Sequence, residues 1–411
     1  MNKKKIILSH SGKQHSYHVA KALNDLGYLE KFYTSSYITS GCLQRYFNMT
    51  NDQYWSRRFV KGVHGVKVES NWRFEFKEIL YSKFYGQSEK TLHAVYDRDV
   101  NFDRYISSRM PKLKGDIFWG YQGSCLKSLQ SAKQEGKLTI CEMAAAHAPA
   151  AVRILGEEQR LHPEWSDSFD NLEFPSDYYK RLCDEPHQAD LVIGASSFTL
   201  KTLREDGVEE KKLKYLPLGF ELDRIEFSSV VGHVKRPLRL LYAGRVTQRK
   251  GIKYILEALK QFKKADVELH IIGNIHGSGR GLRGYEGMYK LHHAISQYEL
   301  FKQYHHYDAF ILPTVFEGFG LVIVEAMAAG LPAITTPNGI GPELIEDGKN
   351  GFIVPIRDTQ AIVRAITQLL SKSSIELSKM RQAARIAALN FSWDAYKIRL
   401  KHLVEKELNN F

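Results

Sequence analysis

Two glutamates stand in an apolar setting. Glu317 and Glu325 lie within VFEGFGLVIVEAMAAGLP, residues 315–332. A carboxylate in such a run needs a partner, because an unpaired buried charge is very costly. Carboxylates accept bidentate hydrogen bonds from diols, so one reading gives one of the two a hexose and the other a ribose. The plainer reading gives Glu325 a local salt bridge and makes Glu317 a helix cap. Gly318 and Gly320 let backbone approach a ligand closely, and the amides of Gly318, Phe319, Gly320 and Leu321 would face a phosphate. A second pair, Arg245 and Lys250, flanks a turn in LLYAGRVTQRKGIKYILEAL. Two cations beside a helix start suit a phosphate or diphosphate. Read alone, the stretch is equally a basic loop in water.

Other candidates lie in the first half. ILSHSGKQHSYHVAKAL reads as strand, turn and helix, with Ser11, Gly12 and Lys13 at the turn. LTICEMAAAHAPAAVRILGEEQ places His147 in a small-residue loop after a strand. A lone histidine is usually structural; its position at the same sheet edge is what singles it out. Gly279, Gly281 and Gly284 have dinucleotide-binding spacing, but no apolar helix opens directly after them, and a mobile basic loop is expected. Asp97 and Asp99 lie two apart on a helical pattern, so they point to different sides and should not share a metal.

These groups need a scaffold. Short apolar strands alternate with amphipathic helices, which argues for parallel sheets flanked by helices. Strands are expected at KIILSH, DIFWGY, KLTICE and DLVIGAS, then at LRLLYAG, VELHIIG, DAFILP, PAIT and GFIV, with one ending near Leu218. Ligands of open α/β sheets bind at the carboxyl ends of the strands, where Gly12, His147, Arg245 and Glu317 all fall. The 411 residues suit two domains. The expected division is 1–218, 219–390 and a C-terminal helix over 391–411, with a linker at 219–236. Hydrophobic content of 43% and charged content of 25% are those of a globular protein. Four scattered cysteines read as reduced thiols in a cytosolic protein. No secretory h-region and no membrane span is read. The net charge is +12, and the surplus concentrates in residues 1–140, at about +11. That stretch is also aromatic over residues 30–110. It is expected to be a helical excursion packing its aromatics on its own domain; a membrane surface or a nucleic acid is the alternative partner class.

Taken in order, several stretches resemble the retaining glycosyltransferases of family four, the group-one glycosyltransferases. They are ADLVIGASSFTLKTL, YLPLGFELDRIEF, LLYAGRVTQRKG, DAFILPTVFEGFGLVIVEAMAAGLPAITTPNGIGPELI, GKNGFIV and FSWDAY. The resemblance covers most of residues 185–400. It implies a GT-B α/β fold, two Rossmann-like doubly wound domains facing a central cleft. It implies retaining transfer of a hexose from a nucleotide diphosphosugar to an acceptor hydroxyl, in polysaccharide or glycolipid synthesis. By this resemblance Arg245 and Lys250 bind the diphosphate, Glu317 lies near the donor sugar, and Glu325 binds the ribose. Phe319, Gly320 and Leu321 contact sugar and phosphate through amides, His147 lies near the sugar's outer hydroxyls, and Gly12 lies near the phosphates. The family's first loop often has adjacent glycines, and SHSGKQHS has one. No metal or other cofactor is implied, since the basic cluster does the work a metal does elsewhere. The implied partners are the nucleotide-sugar donor and a glycan or lipid-linked acceptor, with no nucleic acid; the basic, aromatic first third adds the expectation of a cytoplasmic protein in peripheral contact with the anionic inner membrane face. Two rival classes share the fold: a non-catalytic binding subunit, and a nucleotide-sugar epimerase or phosphorylase.

Overall fold

The computed structural model describes residues 3–408, except 14, 51–54, 56–57, 61, 64–66, 87, 170–173 and 228–236. Two parallel sheets carry the chain. The first holds β1 (Ile6–His10), β2 (Leu29–Thr34), β3 (Val68–Ser70), β4 (Ile117–Tyr121), β5 (Leu138–Met143), β6 (Leu191–Gly194) and β7 (Leu213–Tyr215), in the order β3-β2-β1-β4-β5-β6-β7. The second holds β8 (Leu238–Ala243), β9 (Val267–Ile272), β10 (Tyr289–His292), β11 (Ala309–Leu312), β12 (Ala333–Thr335) and β13 (Gly351–Ile353), in the order β10-β9-β8-β11-β12-β13. Every strand pair in both is parallel. Central strands such as β1, β4 and β11 are buried along their whole length. Covered on both faces, they read as continuous apolar runs. Strand order reverses between β1 and β4 and between β8 and β11, and each reversal opens a crevice at the carboxyl edge.

Helices α1 (Ser16–Asp25), α2 (Gly41–Met49), α3 (Arg73–Tyr85), α4 (Glu89–Arg109), α5 (Leu126–Gln134), α6 (Ala148–Leu161), α7 (Ser176–Gln188) and α8 (Ser197–Glu205) accompany the first sheet. Helices α9 (Ile252–Leu259), α10 (Gln297–Gln303), α11 (Leu321–Ala328), α12 (Gly341–Leu344), α13 (Thr359–Ser371) and α14 (Ser374–Leu389) accompany the second. The last helix, α15 (Trp393–Leu403), returns to the first: Tyr396, Leu400, Val404 and Leu408 share a core with Ile6, Tyr17 and Leu23. The chain crosses between domains at one place in both directions. There the Phe220 N–H donates to the Phe391 carbonyl at 2.7 Å, and Phe220 bridges to Ser392. Gly219 is required: a Cβ on it would come within 2.4 Å of the Trp393 ring. Of the linker expected at 219–236, residues 228–236 lie outside the described residues.

Three strands were not expected from sequence. β2 carries Glu30 and Lys31, β3 is three residues long, and β10 is an exposed edge. None shows the apolar run that marks a central strand. The strand expected to end near Leu218 is β7, which stops at Tyr215. The segment 30–110 is helical in its larger part, and some of its rings pack inward: Phe74 meets Phe102 at 5.5 Å, and Phe47, Trp55 and Trp72 form a ladder. The expectation is corrected for α3, whose Phe76 and Phe84 face outward. Asp97 and Asp99 do diverge on α4. Asp97 pairs with Lys77 at 2.6 Å, whereas Asp99 accepts from Ser11 and Tyr178. The Gly279–Gly284 loop is docked on the first domain: the Ser278 N–H donates to Asp167 Oδ2 at 2.8 Å, and a Cβ on Gly281 would meet the Trp165 ring at 2.2 Å.

Candidate active site

The carboxyl edge of the second sheet gathers the charged groups. β8 ends at Gly244, whose φ of +127° favours glycine, and a Cβ there would sit 2.6 Å from Lys250 Nζ. The missing side chain thus makes room for the ammonium. Burial pulls Lys250 below its ordinary pKa, against the opposing pull of Glu317; Arg249 and Arg245 lower it further and Glu325 raises it. These five groups therefore share one electrostatic site. Among the described residues no carboxylate forms an ion pair with Lys250. Arg245 is exposed just beyond the strand, with its carbonyl held by the Tyr242 hydroxyl at 2.7 Å.

Glu317 is held by a residue that the sequence reading passed over. Arg249 Nη1 donates to Glu317 Oε2 at 3.2 Å and to the Phe316 carbonyl at 3.1 Å. The Arg249 carbonyl accepts from the Val315 N–H at 2.9 Å and from Thr314 Oγ1 at 3.2 Å. Asn338 completes the frame, taking the Glu317 N–H on its carbonyl at 3.1 Å and donating to the Val315 carbonyl at 2.8 Å. Loop 314–317 is therefore fixed by its neighbours, and Glu317 keeps acceptor capacity for a ligand. The clue in the sequence was a third cation in RVTQRKG, next to Lys250.

Glu325 lies on α11, buried, where Gln297 Nε2 donates to it at 2.7 Å and the Tyr304 hydroxyl at 3.2 Å. Burial raises its pKa, and the two donors oppose the rise. The local salt bridge is thus replaced by neutral donors. Gln297 and Tyr304 carried no signal in sequence, because they come from α10 and the turn after it.

The four loop residues have different fates. Gly318 touches the first domain: a Cβ would meet the Ala144 carbonyl oxygen and the Ala145 Cα, each at 2.5 Å. Its carbonyl accepts from Ser196 Oγ at 2.6 Å and Thr199 Oγ1 at 3.3 Å. This explains the small residues of CEMAAAH, which leave space for the opposing loop. The Phe319 side chain is core, 6.2 Å from the Phe391 ring. Gly320 caps α11 with φ +94°, and Leu321 opens the helix half exposed, at 38%. The first turn of α11 turns its positive dipole end to this edge. At the other expected helix start, the α9 first-turn amide of Lys253 donates to Gln248 Oε1 at 3.0 Å. That amide is therefore used within the fold.

The first domain's expected residues make contacts within their own domain. His147 is fully buried at the start of α6, its Nε2 2.9 Å from Asp206 Oδ2 and its backbone N–H donating to Thr202 Oγ1 at 3.0 Å. Burial lowers its pKa, with Asp206 opposing. Its ring thus contacts Asp206 at the end of α8. Gly12 donates its N–H to His10 Nδ1 at 2.8 Å, so that amide is not offered to a phosphate. Ser11 Oγ donates to Asp99 Oδ1 at 2.6 Å. A Cβ on Gly12 would meet Arg98 Nη1 at 3.0 Å, and Arg98 is itself paired with Glu78 and Asp99.

A clasp between domains supports the basic loop. Glu158 of α6, fully buried, accepts from Gln248 Nε2 at 2.7 Å, the Tyr254 hydroxyl at 2.6 Å and Arg357 Nε at 2.6 Å. Ser168 Oγ accepts from the Gln248 N–H at 3.0 Å. Arg357 has φ +64°, the left-handed region, alone among the described non-glycine residues; such strain costs on the order of 1 kcal/mol or more. Among the described residues no group of three or more His, Cys, Asp or Glu could hold a metal.

The family model for group 1 glycosyl transferases matches residues 223–387. Over those residues the chain is similar to the group 1 glycosyl transferases. The putative colanic acid biosynthesis glycosyltransferase WcaL of Salmonella typhimurium is 27% identical over 235 residues, 53% of this chain and 57% of that protein. The chain thus spans little more than half the length of the curated relatives it matches first. By structure, sucrose-phosphate synthase from Thermosynechococcus elongatus aligns over 100% of both chains with a TM-score of 0.67 at 16% identity. Anabaena HepE, solved with UDP and glucose, aligns over 98% of this chain and 99% of its own with a TM-score of 0.63 at 14% identity. At such identities the likeness establishes the fold, the two-domain GT-B architecture of glycosyltransferases.

Proposed function

We propose that the protein transfers a hexose from a nucleotide diphosphosugar to an acceptor hydroxyl with retention at the anomeric carbon, in polysaccharide or glycolipid synthesis. The observation that carries this reading is the convergence of Lys250, Arg249, Arg245, Glu317 and Glu325 at one sheet edge. As the glycosidic bond breaks, negative charge develops on the leaving diphosphate and positive charge on the sugar. Lys250, Arg245 and the first turn of α11 stabilise the diphosphate. Glu317, held by Arg249, faces the sugar; Glu325, braced by Gln297 and Tyr304, takes the ribose. The leaving phosphate itself accepts the acceptor's proton. Contact of the Ala144–Ala145 edge with Gly318 closes the cleft and limits donor hydrolysis. The match to a colanic acid glycosyltransferase supports polysaccharide synthesis, and HepE makes UDP the first nucleotide to try.

The test is direct. Purified protein is incubated with UDP-, GDP- and ADP-sugars, and nucleoside diphosphate release is followed with and without candidate acceptors, with product anomer read by NMR. Release from one donor, lost in Glu317→Ala, supports the reading. An inverted product removes retention, and no release from any donor favours a binding subunit.

A further inference from the structure

Helix α3 is built inside out. Its buried polar group, Glu75, pairs with Arg58 at 2.6 Å and accepts from Ser35 and Ser36. Its outward face carries Phe76, Leu80 and Phe84, spaced i, i+4 and i+8 and so aligned on one side; they are 67%, 39% and 70% exposed. On α2, Leu43, Tyr46 and Met49 also face outward, Met49 at 85%. The ladder Phe47–Trp55–Trp72, with centroids 5.6 and 5.9 Å apart, ties α2 to the start of α3. Two neighbouring helices thus present one apolar surface, larger than scattered exposed residues would give.

The charge around this surface has one dominant sign. Arg45, Arg73, Lys77, Lys83 and Lys90 are exposed on or beside it. Its acids are mostly neutralised: Glu75 by Arg58, Glu78 by Arg98, and Asp97 by Lys77. Lys90 lies 4.5 Å from the centre of the Tyr85 ring, and Lys77 5.5 Å from that of Tyr81. Aromatic rings at the level of lipid headgroups, flanked by lysines, are the pattern of a helix lying in a membrane interface. Among the described residues no helix is long and apolar enough to cross a membrane.

We propose that the α2–α3 face docks on an anionic lipid bilayer. Phe76, Leu80, Phe84 and Met49 enter the headgroup region, while the flanking cations meet lipid phosphates. The docking surface connects to the cleft. Glu78 of α3 pairs with Arg98, and Arg98 lies against Gly12 at the carboxyl edge of β1. If the glycosyltransferase reading holds, the face would present the first domain's side of the cleft to a membrane-held acceptor; the docking itself does not rest on that reading.

The experiment is sedimentation of the full chain with phosphatidylcholine vesicles, with and without phosphatidylglycerol, at low and high salt. The unaltered chain should bind the phosphatidylglycerol vesicles at low salt and be released by high salt. Phe76→Ser with Phe84→Ser should weaken binding at least about tenfold. Each of Lys77→Gln and Lys83→Gln should weaken it up to about fivefold. Thermal melting and its shift by nucleoside diphosphates, unchanged in all variants, would show that they fold and would keep this test separate from the donor site. No binding by the unaltered chain, or equal binding by the phenylalanine pair, would overturn the proposal. So would self-association lost in the phenylalanine pair without vesicle binding, which would make the face an interface between copies.

Discussion

The carboxyl edges of the two sheets face each other but use their polar groups in opposite ways. At the first edge they turn inward: Gly12 donates to His10, Ser11 to Asp99, and His147 meets Asp206. At the second edge the protein fixes the backbone and leaves charge available. Arg249 and Asn338 stitch loop 314–317, and Lys250 stands over Gly244 with no carboxylate paired to it among the described residues. The same topology thus makes a buttress on one side and a charged site on the other. What separates them is whether neighbouring elements satisfy the polar groups or only orient them.

Substitutions that break this contrast rank by expected effect. Glu317→Ala should lower transfer by on the order of 10²-fold or more with an unchanged melting temperature. Arg249→Ala should lower it about 10-fold to 10²-fold, because Glu317 stays but loses its brace; partial recovery with Arg249→Lys would identify positioning. His147→Ala should do the reverse, costing about 2–3 kcal/mol of stability in a urea titration while the folded fraction keeps its turnover. A hundredfold loss of turnover at full stability in His147→Ala would erase the contrast. Glu158→Gln sharpens it from between the domains. Loosening the Gln248–Arg357 clasp should raise the donor KM about 5–30-fold and leave kcat nearly unchanged.

A further expected effect is in pH dependence. His18 stacks on Trp393 with centroids 4.3 Å apart, and burial, the largest cause, lowers its pKa from 6.5 to about 4. The unfolded chain then takes up a proton below pH 6.5 that the folded chain refuses until about pH 4. Stability is lost as pH falls through that window and is unaffected by this group above it. His18→Phe keeps the stacking and should reduce the loss by about 1–3 kcal/mol, read from urea midpoints at pH 7 and pH 4.5.

The sequence carried the central strands, because strands buried on both faces must be apolar runs. It carried the crevice, because parallel sheets bind at their carboxyl ends. It also singled out Glu317, Glu325 and Lys250 as charges within largely apolar stretches, with Arg245 exposed beside them. Edge strands such as β10 were illegible, since one exposed side removes the pattern. The partner of His147 was illegible: its place after β5 was readable, but its contact with Asp206 joins residues far apart in the chain. Gln297, Tyr304 and Glu158 act across elements far apart in the chain, and no local spacing announces such partners. Arg249 was legible in principle, as a third cation in the loop that carries Arg245 and Lys250.

The central claim is that the second edge, and not the first, holds a nucleoside diphosphate. Calorimetric titration with UDP, GDP and ADP, on the unaltered chain, Lys250→Ala and His147→Ala, tests it most directly. The account predicts binding of one nucleoside diphosphate, weakened at least about tenfold in Lys250→Ala and unchanged in His147→Ala. Binding that survives in Lys250→Ala and fails in a folded His147→Ala would contradict it.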